Sequence, residues 1–293
     1  MSADRSIQYS LVVPCYNEAN AIESTVAELR EKLGDRDTYE LIIVNDGSND
    51  GSGEILEKLT ATDPDLRVLN HSRNRGYGAA LKTGITNAAS EWIVITDADC
   101  TYPNERIPEL VERAQNVDMV VGARTGKNVT YSKIRAIPKV FLKRFASWIA
   151  ATDIPDINSG LRVFRKSVAQ RYFNILPNSF SFTLTITLAM TTNFHRIVYV
   201  PIDYSERVGD SKIRPIRDTL KFFQLIFRTG TYFAPLRVFG PIILVLGIAF
   251  LISLCYDLFV LSNLTDKTVL LLLFTMNTAM FALLADMIDK RSQ

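Results

Sequence analysis

Two carboxylates, Asp97 and Asp99, follow an apolar run that begins at Trp92 and is typical of a buried strand. Side chains alternate along an extended segment, so these two carboxylates lie on the same side of it. Hard oxygen ligands of this kind suit Mg²⁺ or Mn²⁺, which bind through one or two carboxylates together with substrate phosphates. By itself the pattern favours a solvated turn after a strand, so the metal-site interpretation depends on the neighbouring residues.

Two earlier apolar segments also end in acids. Residues 9–13 lead to Glu18, and residues 41–44 lead to Asp46. Ligands of open α/β sheets bind outside the carboxyl ends of the strands, so we expect these acids and the Asp-x-Asp pair at one edge. A cluster of acids is costly unless a cation lies nearby. A divalent ion with basic residues around it would supply that charge.

Alternating apolar patterns predict a mostly parallel α/β sheet with helices on both faces. Strands are expected at residues 8–13, 40–45, 66–70, 92–97, 117–122 and 197–202, and helices at 18–33, 51–61, 76–89 and 104–115. Residues 49–52 predict a turn and a helix start. The pair Gly76 and Gly78 lacks the third glycine of a dinucleotide-binding fingerprint, and the sequence has no phosphate-binding P-loop.

The bulk composition excludes some classes of protein. The net charge is only +2 at pH 7, so the chain has no nucleic-acid footprint. Three cysteines, an odd number without metal-ligand spacing, argue against a disulfide framework and indicate reduced thiols on a cytosolic face. The polar N-terminal ten residues have no apolar core of the signal-peptide type.

The last fifth of the chain contains two charge-free apolar runs, which predict membrane spans at about 238–260 and 268–286. A pair of buried core helices is the alternative. Arg237 precedes the first run, and Lys290 and Arg291 follow the second. The positive-inside rule then predicts an integral protein of the inner or plasma membrane, with the preceding domain and both termini in the cytoplasm.

Two basic amphipathic stretches connect the predicted sheet to this hairpin, at about 132–151 and 213–234. Residues 127–152 contain no acid, which favours a helix at the membrane interface with its basic side toward anionic headgroups. An ordinary helix packed on the sheet is the alternative for either stretch.

Six short motifs together resemble those of the family 2 inverting glycosyltransferases, in order and in spacing. The two downstream motifs narrow the resemblance to polyprenyl-phosphate glycosyltransferases, including dolichyl-phosphate mannose synthases and bacterial polyprenyl-phosphate glucosyltransferases. The resemblance covers nearly the whole chain. It is carried by residues 13–18, 44–48, 74–76 with Lys82, 96–99, 158–164 and 207–212.

The resemblance implies a nucleotide-sugar-binding GT-A fold in a cytosolic catalytic domain at residues 1–212. The second interfacial helix, 213–234, and the transmembrane hairpin, 235–293, follow it. The residues that it assigns to the nucleotide sugar are Pro14, Tyr16, Glu18, Asp46, Lys82, Asp97, Arg207 and Lys212. Glu18 as an acid in the first turn of a helix, and Lys82 as a solvated helix residue, remain alternatives.

The resemblance also assigns the metal ligands and the acceptor end of the site. Asp97 and Asp99 would hold Mg²⁺ or Mn²⁺. Thr101 stands where the family often has a glutamine ligand, so a water would take that place. The residues assigned to catalysis and to the acceptor phosphate are Asp156, Asp99, Arg124, Arg162 and Ser159.

Asp156 matches the family's candidate general base, but the chemistry of the acceptor argues against that role. A phosphate monoester has a second pKa of about 6 and is largely a nucleophilic dianion at cytosolic pH. We therefore expect Asp156 to orient Arg162 or the lipid phosphate, with a helix-to-loop cap as the alternative. Exposed salt bridges are the alternative for the basic residues.

The resulting interpretation is a metal-dependent inverting enzyme that moves a sugar, first guess glucose from UDP-glucose, onto polyprenyl phosphate at the cytoplasmic leaflet. A GDP-mannose-dependent mannosyltransferase and a catalytically silent membrane scaffold are the alternatives. A processive polysaccharide synthase lacks support, because neither Trp92 nor Trp148 lies in a Gln-x-x-Arg-Trp motif. A soluble glycosyltransferase is disfavoured by the apolar hairpin. The expected partners are the nucleotide sugar, the lipid phosphate and the membrane. The oligomeric state stays open, a homo-oligomer included.

Overall fold

The structure is a computed structural model, and it describes residues 7–126, 136–179, 181–205, 224 and 226–291. These residues form one α/β sheet flanked by helices, followed by two long apolar helices. The strands are β1 (Tyr9–Cys15), β2 (Tyr39–Asn45), β3 (Leu66–Asn70), β4 (Trp92–Ile95), β5 (Met119–Ala123), β6 (Arg162–Arg165) and β7 (Ile197–Pro201).

The helices alternate with the strands in the first half of the chain and follow them in the second. They are α1 (Ile22–Lys32), α2 (Ser52–Thr62), α3 (Tyr77–Asn87), α4 (Ile107–Ala114), α5 (Ala136–Ala150), α6 (Lys166–Arg171), α7 (Phe182–Thr192), α8 (226–233), α9 (Pro235–Tyr256) and α10 (Asp266–Arg291). A single 3₁₀ turn, Asn104–Arg106, precedes α4.

The seven strands lie in the order β3-β2-β1-β4-β6-β5-β7. Strands β1 to β4 run parallel to one another, and β7 is parallel to β5. Strand β6 is antiparallel to both of its neighbours, and Arg162 pairs with Ile95 of β4 and Val121 of β5. The predicted mostly parallel sheet is confirmed, but β6 was not predicted. Because β6 runs the other way, the turn before it lies at the edge where β4 and β5 end.

Alternation along the strands divides the sheet into two packed faces. Leu11, Leu41 and Val163 point into the core beneath α1, α2 and α4, whereas Val12 and Phe164 point into the core beneath α3, α6 and α7. Nearly continuous apolar runs such as β1 and β2 are what a sheet covered on both faces requires.

A third apolar cluster joins the α/β part to the C-terminal helices. Ala146 and Ile149 of α5 pack with Leu188 of α7, Ile226 of α8 and Val238 of α9. The described part of the first predicted interfacial stretch is therefore a helix with one face on the protein. Its Trp148 is 45% exposed and stacks on Phe145, which leaves an aromatic pair at the surface. Most of the second stretch lies outside the described residues.

Helices α9 and α10 are long and apolar enough to cross a membrane, with spans at Pro235–Leu261 and Asp266–Ile288. Only 11% of each span's most apolar window is buried, so the structure does not support the alternative of two core helices. The buried Asp257 fixes the turn between them, because one carboxylate oxygen accepts hydrogen bonds from Thr265 and Thr268.

Candidate active site

The candidate active site lies at the edge where β1, β2 and β4 end, as the sequence predicts for an open α/β sheet. Asp46 follows β2, and Asp97 and Asp99 follow β4. The turn before β6 adds Asp156 and Gly160 at the same edge, since β6 enters the sheet there.

Asp97 is held by an aromatic hydroxyl and by a glycine. The Tyr77 hydroxyl, at the first residue of α3, donates to Asp97 Oδ1 at 3.0 Å. Burial and then the charge of Asp97 raise the pKa of Tyr77 well above its ordinary value, so the hydroxyl keeps its proton and donates. A Cβ at Gly160 would lie 2.8 Å from Asp97 Oδ2, so only glycine leaves the carboxylate its present place.

Asp99 is held from within its own loop. The Thr101 hydroxyl donates to Asp99 Oδ1 at 2.7 Å, and Thr101 is only 1% exposed. Thr101 therefore orients the carboxylate from within the loop. Cys100 between them has φ of +54°, a conformation uncommon for a residue with a side chain.

The two half-buried carboxylates fit a hard divalent cation by the chemistry of their donors. Each has one oxygen that accepts from a neutral hydroxyl, which aims the carboxylate without neutralising its charge. The described residues contain no group of three or more acidic, histidine or cysteine side chains that could hold a metal. A cation at Asp97 and Asp99 would thus complete its coordination with water and substrate oxygens, as Mg²⁺ and Mn²⁺ commonly do.

Asp46 is almost wholly buried and organises the loop that follows β3. Its carboxylate is 2.6 Å from His71 Nδ1 and accepts from the backbone N–H groups of Arg75 and Gly76 at 2.9 and 2.8 Å. A Cβ at Gly47 would lie 2.4 Å from the backbone of this loop, so the two loops are in close contact. Asp46 was expected to bind the nucleotide; in the structure its carboxylate binds the loop after β3, and its contact with a nucleotide stays a prediction.

His71 was missed by the sequence analysis. Its Nε2 lies 2.9 Å from the Thr83 hydroxyl of α3, and its side chain is 5% exposed. One histidine after a short strand carries no signal of its own. Only the long-range pairing with Asp46 reveals its role.

The loops after β1 and β2 are tied together. Asn17 donates its backbone N–H to the Ser48 hydroxyl, and its side chain accepts from the N–H of Asn49. Asp50 accepts from Ala19 N–H, from Ser52 N–H and from the Ser52 hydroxyl. Burial raises the pKa of Asp50, but these hydrogen bonds outweigh it, so the pKa lies below its usual value.

Three predicted nucleotide residues lie at the end of β1 and in the loop that follows it. Pro14 is buried within β1, whereas Tyr16 is 36% exposed at the edge, where an aromatic face could stack on a base. Glu18 donates its backbone N–H to Ser52. Helix α1 begins only at Ile22, so the alternative of Glu18 as a first-turn helix acid is wrong.

Arg124 and Asp156 form a two-point ion pair with distances of 2.7 and 2.9 Å. The Arg124 backbone N–H also donates to Asp156, and the guanidinium lies 5.2 Å from the centre of the Tyr204 ring. Burial raises the pKa of Asp156, but the hydrogen bonds and the charge of Arg124 outweigh it and hold the pKa below its usual value. The expectation that Asp156 orients Arg162 is therefore corrected, since its partner is Arg124.

Arg162 and Ser159, expected at the acceptor phosphate, are both fully buried in the structure, and their contact with an acceptor stays a prediction. The guanidinium donates to the Ser159 carbonyl through Nε and Nη2, and to Thr183 and Thr187 of α7 through Nη1. Ser159 donates its hydroxyl to the Gly122 carbonyl. Arg162 thus fixes the turn that carries Gly160, and it supports the site without being exposed in it.

Lys82 also has a different partner from the one expected. Its ammonium donates to the Leu176 carbonyl at 2.6 Å and to the Asn178 side chain at 3.0 Å, and burial lowers its pKa. A Cβ at Gly76 or Gly78 would lie within 2.3 Å of a carbonyl oxygen of the same segment. These glycines therefore allow the start of α3 to pack closely against residues 177 and 178, and Lys82 adds hydrogen bonds to the same segment.

Arg207 and Lys212, expected over the donor diphosphate, lie outside the described residues. The described residues before them end at Ser205. Ser205 donates its backbone N–H to the Thr101 carbonyl at 3.1 Å, and Tyr204 packs edge-on against Tyr102.

The sequence of the chain matches a known protein family over the part that forms this sheet edge. A model described as Glycosyl transferase family 2 matches residues 10–173, more than half of the chain. The chain belongs to this family. The matched part of this glycosyltransferase contains Asp46, Asp97, Asp99 and the Arg124–Asp156 pair, so the edge described above lies within the family's enzyme domain.

Curated relatives of this glycosyltransferase include several polyprenyl-phosphate sugar transferases. An undecaprenyl-phosphate 4-deoxy-4-formamido-L-arabinose transferase of Edwardsiella ictaluri is 29% identical over 87% of this chain and 78% of its own length. An undecaprenyl-phosphate mannosyltransferase of Micrococcus luteus is 28% identical over 69% of this chain and 86% of its own. An uncharacterized glycosyltransferase of Bacillus subtilis, YkcC, is 36% identical over 56% of this chain, and the match spans about half, 51%, of that relative.

Solved structures support the fold. Glucosyl-3-phosphoglycerate synthase from Mycobacterium tuberculosis, crystallised with Mn²⁺, UDP and phosphoglyceric acid, superposes with a TM-score of 0.58. The identity is 17%, and the match covers 76% of this chain and 78% of that one. This glycosyltransferase therefore has the GT-A fold of its structural neighbours, as the resemblance implied.

Proposed function

We propose that this family 2 glycosyltransferase is a metal-dependent, inverting enzyme that transfers a sugar from a nucleotide diphosphate sugar to polyprenyl phosphate at the cytoplasmic leaflet. The observation that carries the proposal is the placement of Asp97 and Asp99 at one sheet edge with the Arg124–Asp156 pair, in a chain that ends in two apolar helices. The relatives that act on undecaprenyl phosphate support the acceptor.

The donor end rests on the two carboxylates. Asp97 and Asp99 would hold Mg²⁺ or Mn²⁺, and the ion would neutralise charge that develops on the leaving diphosphate. Tyr16 and the loop above Asp46 would receive the base and the ribose. Arg207 and Lys212 would add positive charge at the diphosphate.

At the acceptor end, the phosphate serves as its own nucleophile. Its dianion predominates above a pKa of about 6, so direct attack on the sugar requires little help from a base and inverts the anomeric centre. Asp156 is held ionised by Arg124, and its role is to keep that guanidinium at the edge. Arg124 would attract the phosphate through its charge and its remaining guanidinium N–H groups, since Nε and Nη2 already donate to Asp156.

The apolar part of the acceptor would lie against the C-terminal helices. A cavity of about 540 Å³ opens between α8 and the end of α10, with Phe227, Tyr232 and Ile288 on its wall and Arg228 as its cation. An apolar chain beside a basic group suits a lipid phosphate. The two apolar helices and the basic residues that flank them support the proposal that the chain spans the membrane twice, with its catalytic domain and both termini in the cytoplasm.

Glucose from UDP-glucose is the first proposal for the donor, based on the motif resemblance. Mannose is the second candidate, because a relative from Micrococcus luteus is an undecaprenyl-phosphate mannosyltransferase, and GDP-mannose would then be the donor.

The experiment is product analysis with the full chain, polyprenyl phosphate, Mn²⁺ and a panel of UDP- and GDP-sugars. We expect one sugar lipid, its loss with chelator, and its loss in Asp99→Asn with the fold retained. Asp37→Asn, an exposed acid on the loop between α1 and β2, is the matched control and should remain active. Full transfer in the presence of chelator would refute the metal. Absence of turnover with every donor would favour the silent scaffold.

A further inference from the structure

The most exposed large apolar side chain of the described residues is Phe194, which is 92% exposed. It lies between α7 and β7, in the α/β part of the chain and not in the apolar hairpin. By comparison, Phe259 in the turn of the hairpin is 84% exposed. A phenylalanine that is almost wholly exposed has no packing role in the described structure.

The backbone conformation at Phe194 disfavours a residue with a bulky side chain. Phe194 has φ of +60°, and it donates its N–H to the Thr191 carbonyl while His195 donates to the Met190 carbonyl. This hydrogen-bond pattern is a Schellman cap, in which the left-handed position is usually glycine. Stability alone would favour glycine or asparagine there. Strain at a position with no structural role for the side chain points to function.

The residues around Phe194 connect it to the point where the first apolar helix begins. The next residue, His195, lies 3.0 Å from the Tyr172 hydroxyl, and the Tyr172 ring is 6.2 Å from the ring of Phe233. Phe233 ends α8, and α9 begins two residues later at Pro235. His195, the residue after Phe194, is thus linked through Tyr172 to Phe233, just before the proposed first span begins.

Basic residues accompany the exposed ring. Arg196 follows two residues after Phe194, Arg171 immediately precedes Tyr172, and both are exposed. One acid faces this group, since Asp118 accepts from the Arg196 backbone and lies 3.4 Å from His195. An exposed aromatic ring with arginines beside it is the composition found where proteins contact the lipid headgroup region.

We propose that Phe194 inserts into the surface of the bilayer on the side where α8 meets α9, with Arg171 and Arg196 at the anionic headgroups. This is a contact separate from the spans and from the acceptor cavity. Phe194 precedes β7, at the end of the strands opposite the candidate site, so this contact would fix the tilt of the sheet relative to the membrane. The inference rests on the proposed membrane location, but its test does not require catalytic activity.

The test is fluorescence quenching of the full-length Phe194→Trp variant in vesicles of phosphatidylcholine and phosphatidylglycerol. The native Trp92 and Trp148 give a background, which the wild-type protein measures under the same conditions. The matched control is Glu57→Trp, on the exposed side of α2 next to β3, at the opposite edge of the sheet from β7. Both replacements are at exposed positions, so neither disturbs the core.

We expect the added emission of Phe194→Trp to shift to shorter wavelength and to lose intensity when brominated lipid is included. The added emission of Glu57→Trp should respond to aqueous acrylamide only. Arg196→Glu in the Phe194→Trp background should reduce the quenching by brominated lipid in vesicles with phosphatidylglycerol. Acrylamide quenching of Trp at position 194 to the same extent as at position 57, without quenching by brominated lipid, would overturn the proposal and indicate a protein partner or none.

Discussion

Replacing Gly160 by alanine should disturb the metal site and leave the fold intact. The new Cβ would lie 2.8 Å from Asp97 Oδ2, whereas ordinary contacts begin at 3.4 Å, so the carboxylate must move by about 0.6 Å. The Gly160 backbone can keep its 2.6 Å hydrogen bond to the Tyr102 hydroxyl, because alanine retains the N–H group. The perturbation is therefore local to the carboxylate.

A shift of this size exceeds the tolerance of about 0.5 Å within which functional groups must be held. Misplacement by about 1 Å can cost roughly a hundredfold in rate, so we expect about a tenfold slower transfer, or about 1.4 kcal/mol in the barrier. The Mn²⁺ concentration that gives half of the maximal rate should rise as well, since Asp97 is a proposed ligand.

The assay is the initial rate of sugar transfer at saturating donor over a Mn²⁺ titration, together with thermal unfolding. Gly53→Ala in α2 is the matched control, because its Cβ would be 3.4 Å from Asn45 Nδ2 at the end of β2, an ordinary contact. Gly160→Ala with the rate and the metal dependence of Gly53→Ala would refute the assignment of Asp97. A large loss of thermal stability in Gly160→Ala alone would show that the perturbation is not local.

Three further predictions concern the supports of the site. Asp156→Asn should lower the transfer rate at every pH while the acid limb stays near the phosphate's second pKa of about 6, and loss of that limb in a pH–rate profile would identify Asp156 as the titrating base. The pKa of Asp156 is lower in the folded than in the unfolded protein, where it is about 3.9, so Asp156 stabilises the fold above that pH. The difference in unfolding free energy between wild type and Asp156→Asn should therefore be constant above about pH 5. It should shrink as the pH falls through the folded pKa. Arg162→Lys should lose about 3 kcal/mol of stability in denaturant unfolding, because a lysine cannot reach all of the buried oxygens, and an unchanged midpoint would contradict that burial. His71→Ala should weaken UDP binding in calorimetry, since it removes a hydrogen bond from the buried Asp46, and unaltered affinity would separate Asp46 from the nucleotide pocket.

The edge of the sheet was predictable because its strands have strong apolar patterns. Residues 41–44 and 92–95 are continuous apolar segments, and an acid stands two residues after the end of each. Strand β6 was not predictable in this way. Its four residues begin and end with arginine, and its order in the sheet depends on partners in β4 and β5 that are far away in sequence.

The residues that support the site were less accessible than the acids themselves. An arginine such as Arg162 is a residue type that often binds phosphate. Its burial becomes possible because its guanidinium donates hydrogen bonds to oxygens of Ser159, Thr183 and Thr187. Tyr77 offered a weak signal as an aromatic residue at a predicted helix start. Such roles arise from contacts between distant segments, which hydrophobic periodicity does not encode.

The antiparallel entry of β6 makes its pairing register critical. Along β6, Arg162 and Phe164 face α7, while Val163 faces the opposite core. A slip of β6 by one residue against β4 and β5 would exchange these faces, because the side-chain period of a strand is two. The guanidinium would then enter an apolar core, and the glycine that contacts Asp97 would be displaced. The register of one short strand therefore sets the position of a buried charge and of a proposed metal ligand together.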